Sequence, residues 1–159
     1  MTGFLVGAAV GIVGTVVGWL LSVLTEARSR RKAAKVAARM IFFELGLNVG
    51  VAQRMAESDW DPNYRHVLSR SAWDRYAADL TRVAPSDVVT LLAQIYSTHF
   101  TRMFLFLSMA MERRLPDGGE DECREASEAI TTAIRKVGQL AGENPSQVEA
   151  YLEPYRAVE

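Results

Sequence analysis

The chain has 159 residues, 49% of them hydrophobic, and a formal net charge of −1. Charge is unevenly placed: residues 1–25 carry none, residues 26–40 carry +5, and residues 41–159 are left with −6. A mildly acidic main body argues against general nucleic-acid binding, and a single cysteine, Cys123, excludes an intrachain disulfide and a cysteine-based zinc site.

The first element is apolar from Phe4 to Leu24, FLVGAAVGIVGTVVGWLLSVL, with Thr15, Ser22 and the Trp19 indole as its few polar groups. A bilayer core is crossed by about 20 apolar residues in a helix, so residues 1–25 are expected to form a single transmembrane helix. A secretory signal carries its positive charges before the apolar stretch and small residues after it. Here Glu26 is the first charged residue and TEARSRRK follows the stretch, so an uncleaved anchor is expected. The positive-inside rule then places the N-terminus outside and everything after Thr25 in the cytoplasm.

Gly3, Gly7, Gly11, Gly14 and Gly18 recur every three or four residues, within a sector of roughly 80° at about 100° per residue. In lipid, helices associate through close packing that small residues permit, so this glycine-zipper face is expected to drive homo-oligomerisation. Residues 26–40 continue as a basic juxtamembrane helix. Arg28, Arg31, Lys32, Lys35 and Arg39 share a sector of about 100°, and Arg30 lies outside it. These five are read as orientation and lipid-headgroup contacts, worth about 1 kcal/mol each near an anionic surface.

Residues 41–159 are expected to form a cytoplasmic, antiparallel bundle of four to five helices; no segment shows strand alternation. The first helix is expected to run on from the membrane to Glu57. Its apolar stripe is Ala38, Phe42, Leu45, Val49, Ala52 and Ala56, and a kink is allowed at Gly46 and Gly50. Glu44 and Asn48, four apart on this helix, are suited to cap or hydrogen-bond a buried network, a packing role. Ser58–His66 interrupts the pattern with Pro62 and Asn63. A short helix is expected from Ser71, capped by Ser71 with Asp74 three residues on, and facing the core with Trp73, Tyr76, Ala77 and Leu80. Ser86 is the expected cap of the next helix, which runs from Asp87 to about Arg114. Its Gln94, His99 and Arg102 make it a buried core helix and not a second span. After the loop at Pro116–Gly119, a helix begins at Glu120 with a seam of Cys123, Ala126, Ile130, Ala133, Val137 and Leu140. It ends near Gly142. Asn144 and Pro145 are the expected cap and first residue of a last short helix carrying Val148, Tyr151 and Leu152.

The loop from Asp59 to His66 is the densest cluster of functional side chains: Asp59, Trp60, Asp61, Tyr64 and His66 are its candidate ligand- or partner-contacting residues. Asp59, Asp61 and Asn63 imitate the start of a calcium loop. Tyr64 then stands where glycine is needed and Arg70 where the bidentate glutamate belongs, so no calcium site is expected. His99 is expected to be a hydrogen-bonded core histidine, and Cys123, beside Asp121 and Glu122, a poor nucleophile. No convergent acid, base and nucleophile is visible, so neither enzymatic activity nor a metal or cofactor is expected. Arginine far outnumbers lysine, a bias of GC-rich bacterial genomes, so the expected location is a bacterial inner membrane. The leading expectation is a single-pass, self-associating scaffold or interaction module at the cytoplasmic face, with the bilayer, further copies of itself and an unidentified protein as partners. An oligomeric pore-forming or membrane-disrupting effector and a membrane-tethered ligand sensor are the alternatives.

Overall fold

A computed structural model describes residues 2–112, 114 and 117–155, with side chains from Val17 onward. Among the described residues every regular element is helical. The elements are α1 (Thr2–Ala56), α2 (Tyr64–Val67), α3 (Ser71–Thr81), α4 (Ser86–Gln94), a π-helical segment (Ile95–His99), α5 (Phe100–Met111), α6 (Gly119–Ala141), α7 (Pro145–Leu152) and a final 3-10 turn (Glu153–Tyr155).

α1 runs 55 residues without a break, about 80 Å at 1.5 Å per residue. The helix is not interrupted at Gly46 or Gly50. Gly46 makes room for an aromatic ring, since a Cβ there would lie 2.1 Å from the Tyr151 hydroxyl, whereas one on Gly50 would meet the Tyr155 ring at an ordinary contact distance of 3.4 Å. The expected stripe is buried from Ala38 to Ala52, joined by Ala37, Ile41 and Met55; Ala56 is half-buried. This stripe packs chiefly against α6 and then α3. α6 contributes the expected seam, in which Cys123, Ala126, Ile130, Ala133 and Val137 are buried and Leu140 is only partly buried. α6 is tightly packed at Gly138, where an added Cβ would meet Val148 at 3.1 Å and Phe42 at 3.2 Å.

α3 begins opposite Glu44 and ends with Leu80 beside Ala34, so it runs back along α1. The α3–α4 corner and the α6–α7 turn therefore sit at the same end of the packed helices, the end from which α1 emerges. α6 stops there on Gly142, whose positive φ of 76° suits glycine. Asn144 accepts from the Ser146 N–H at 3.0 Å with Pro145 following, as expected.

Two expected caps are corrected. Ser71 is the first residue of α3 and does not cap it; the helix donors go to Glu44. Ser86 likewise opens α4, and Pro85 holds the cap position with no side-chain bond. The break after α1 also contains one helical turn, α2, and the helix expected from Asp87 changes pitch at Ile95–His99 before ending at Met111.

Candidate functional site

The exposed apolar surface of α1 falls in two stretches. Val17, Trp19, Leu20, Leu21, Val23 and Leu24 are 44–64% exposed, and no other helix covers them. Further on, Val36, Met40, Phe43 and Leu47 are 56%, 43%, 57% and 60% exposed. Their spacing of four, three and four places them within about 60° of one another on an ideal helix. Counting at the same repeat, this stripe lies on the side of α1 that holds Gly7, Gly11, Gly14 and Gly18. A Cβ on Gly18 would meet nothing within 4 Å. Gly3, Gly7, Gly11 and Gly14 lie in α1 by their backbone, and their surroundings lie outside the described residues.

Among the described residues one stretch, Val17–Ala56, is long and apolar enough to cross a membrane by length and composition. Of its most apolar window, 61% is buried, and residues 17–33 are all exposed. That window is therefore the packed half of α1, and it behaves as a core helix does.

Arg28, Arg31, Lys32, Lys35 and Arg39 are all exposed where α1 enters the packed helices. Arg39 donates to Glu143 at 2.9 Å, in the α6–α7 turn. The Lys35 ammonium lies over Gly142 at the C-terminal end of α6, where the helix dipole favours a cation. Arg30, off the basic face, pairs with Glu26 one turn back. Arg31 and Lys35 flank a cleft of about 250 Å³ whose other walls are Ala34, Leu80, Val83, Ala84 and Leu140.

The densest polar cluster is built around Glu44, a carboxylate only 5% exposed. One oxygen accepts from the Ala72 N–H at 2.7 Å, the Ser69 hydroxyl at 2.8 Å and the Ser71 hydroxyl at 3.2 Å. The other accepts from the Trp73 N–H at 3.2 Å and the Tyr96 hydroxyl at 2.8 Å. Fully buried Asn48 holds the Ser69 backbone from both sides, donating to its carbonyl at 2.7 Å and accepting from its N–H at 3.0 Å. Two residues one helical turn apart thus clasp Ser69–Trp73 and satisfy the first free N–H groups of α3. Trp73 then stacks on Tyr96, centroids 5.1 Å apart and planes within 9°. Burial, reinforced by the facing Glu44 carboxylate, pushes the Tyr96 phenol pKa up. With five donors on its two oxygens, Glu44 is committed to holding α3 and offers no free lone pair for proton transfer.

The Asp59–His66 loop turns inward on itself. Tyr64 donates to Asp59 and receives a 3.3 Å hydrogen bond from Arg54; Asp61 accepts from the Asn63 backbone and side chain at 2.9 Å. Trp60 folds onto the core, edge-on to Phe106, and His66 is exposed. The two aspartates are therefore used within the loop, and among the described residues no group of three or more His, Cys, Asp or Glu is placed to hold a metal ion.

His99 is buried in the π-helical segment, but among the described residues its ring makes no hydrogen bond, contrary to the expectation. Burial, then the Arg102 charge, holds its pKa below the ordinary histidine value. Cys123 is fully buried, and burial followed by the Glu122 charge pushes its thiol up to about 12. A thiol this reluctant to ionise makes a poor nucleophile.

Sequence reasoning recognised Glu44 and Asn48 but missed the exposed stripe of Val36, Met40, Phe43 and Leu47. Its signal was present: a second apolar spacing of four and three, offset from the buried one on the same helix. The cleft had no signal, because its walls come from α1, α3, the α3–α4 corner and α6. In comparisons with known proteins, no family model, curated protein or solved structure matches the chain.

Proposed function

We propose that this chain is a single-span membrane protein that self-associates along one side of α1 and presents its packed helices as an interaction module on the cytoplasmic side. The observation that carries this reading is the uncovered apolar side of α1. Large side chains from Val17 to Leu24 stand exposed, continuing a sequence that is apolar from Phe4. Surrounding these residues with lipid removes a cost of about 25 cal/mol per Å² of apolar surface. The stripe at Val36–Leu47 then extends the glycine side beyond the headgroups. Its four large side chains, each 43–60% exposed, form one contiguous apolar patch of the kind that marks an interaction surface. Four side chains are far fewer than the roughly 20–30 residues one partner gives to a standard interface. The glycine face would supply the rest, so association is expected to need both.

The basic residues between these stretches support a cytoplasmic placement of the bundle. The engaged Glu44, the suppressed Cys123 thiol and the self-satisfied Asp59–His66 loop support an interaction role over a catalytic one. The test is the mass of the full-length protein in detergent, after confirming that it resists carbonate extraction from membranes. A discrete oligomer is expected, reduced to monomer by Phe43→Glu/Leu47→Glu and separately by Gly11→Leu/Gly14→Leu. A strict monomer for the unaltered chain overturns self-association; a chain that stays soluble without detergent overturns the anchor.

A further inference from the structure

The cleft beside Arg31 and Lys35 faces the place where a membrane would lie. α3 and α6 both run toward the end from which α1 emerges, so Leu80, Val83, Ala84 and Leu140 collect there. Arg31 is seven residues beyond Leu24, about 10 Å along the helix, and side chains on a helix lean toward its N-terminus. That lean carries the guanidinium toward the headgroup layer, which extends about 5–8 Å past the hydrocarbon on each side. The acidic groups around this end are already engaged: Glu143 with Arg39, Asp79 with Arg82, and Asp87 with Lys136. Among the described residues Arg31 and Lys35 are in no ion pair, and they stand at the edge of an apolar recess.

We infer that this cleft is a binding site for one anionic phospholipid, its phosphate held by Arg31 and Lys35 and its glycerol and first methylenes seated against Leu80, Val83, Ala84 and Leu140. The inference rests on the membrane-anchored reading. It goes beyond a general attraction of basic residues to a negative surface, because two of the five cations are set apart by the recess they share. The volume, about 250 Å³, is a little below the roughly 300–1,000 Å³ of small-molecule pockets. That takes only part of a lipid; since Ala34 in the cleft wall lies about 15 Å along the helix from Leu24, the bound molecule is drawn several ångströms out of its leaflet with its chain ends left in the hydrocarbon. Half-exposed Val83 (46%) at the α3–α4 corner gives that corner an apolar point with which to meet the membrane surface.

The experiment is native mass spectrometry of the full-length protein released from detergent, titrated with phosphatidylglycerol or phosphatidylcholine. One phosphatidylglycerol per chain is expected to be retained preferentially. Arg31→Gln/Lys35→Gln should weaken it roughly tenfold or more, and Arg28→Gln/Lys32→Gln, which removes the same charge from outside the cleft, by under about threefold. All four residues are exposed, so both pairs of changes leave the core intact. Ala84→Phe, which narrows the mouth, should weaken retention with helicity by circular dichroism unchanged. Equal retention of the two lipids, or equal loss from the two charge-removed pairs, overturns the site. Displacement of the lipid by an equal concentration of glycerol phosphate overturns the apolar half of the proposal. Carbonate extraction of the same samples separates these outcomes from failure of the anchor, since a chain that remains in membranes without retaining lipid leaves the anchor standing.

Discussion

Replacing Glu44 by alanine should release the start of α3 while leaving α1 helical. The carboxylate accepts from two backbone N–H groups of α3, two serine hydroxyls and the buried Tyr96 hydroxyl. Loss of a helix cap costs about 1 kcal/mol. Stranding a buried hydroxyl such as that of Tyr96, only 1% exposed, costs about 1–3 kcal/mol. Ser69 and Ser71 can turn to cover part of the loss, so the expected total is about 3 kcal/mol. A domain of this size is stable by about 5–15 kcal/mol, and each kcal/mol moves the midpoint by about 3–6 °C. Thermal unfolding of the full-length protein in detergent, followed through the fluorescence of Trp73 in a Trp19→Phe/Trp60→Phe background, should therefore shift down by roughly 10–15 °C. Glu44→Gln keeps the shape but turns an NH2 donor toward the Ala72 or the Trp73 N–H, whichever way the amide sits, so it should cost about as much as Glu44→Ala. A double-mutant cycle with Tyr96→Phe should show coupling of about 1 kcal/mol or more, because the two groups meet directly. If Glu44→Ala costs less than about 1 kcal/mol, or the cycle is additive, the carboxylate is not what fixes α3 to α1.

Two further perturbations probe the packing independently. Gly138→Val sets branched carbons into Val148 and Phe42, already 3.1 and 3.2 Å from a Cβ there, and should destabilise by about 1–3 kcal/mol in urea unfolding, whereas Gly46→Ala should cost less because the Tyr151 ring it meets is 40% exposed and free to swing out. His99 has its folded pKa held below the unfolded value by burial and by Arg102, so the unfolded chain takes up the proton first. The stabilisation is complete above about pH 6.5 and is lost as pH falls toward the folded pKa. Unfolding curves of the native chain between about pH 7 and pH 5 should be steeper in pH than those of His99→Gln, and identical slopes would refute the assignment.

Much of the helical layout is legible from local pattern alone. The seam from Cys123 to Val137 repeats every three to four residues, and its burial against α1 follows from that period and from the scarcity of other apolar faces. Asn144-Pro145 specifies its cap within three residues. Glu44 stands out because a charged residue inside the apolar stripe needs partners that an isolated helix cannot provide. Its partners were not legible, since Ser69–Trp73 are 25 to 29 residues away and Tyr96 is 52, and no local rule links such positions. For the same reason Ser71 reads as its own cap: the serine has the right chemistry, and a better acceptor from another helix displaces it. The π-helical segment at Ile95–His99 carries neither proline nor glycine; it holds Tyr96, which bonds Glu44 and stacks on Trp73, and these distant contacts have no signature along the chain.

The two halves of α1 are tied together by helical phase, and phase is open to direct test. The glycines up to Gly18 and the stripe at Val36–Leu47 fall on one side only if the helix is continuous between them, as it is. Each alanine inserted between Thr25 and Glu26 turns the two faces apart by about 100°. One inserted residue should therefore move the stripe out of the interface, and two should turn it almost to the opposite side. Seven inserted residues restore the alignment to within about 20° while pushing the packed helices about 10 Å further from the membrane. The oligomer measured in detergent should weaken with one or two insertions and recover with seven. A response that follows the number of inserted residues without recovery at seven would mean that distance from the bilayer is what matters. Indifference to all three would mean that the glycine side and the cytoplasmic stripe do not belong to one continuous contact, and the stripe would then be left for a different protein to cover.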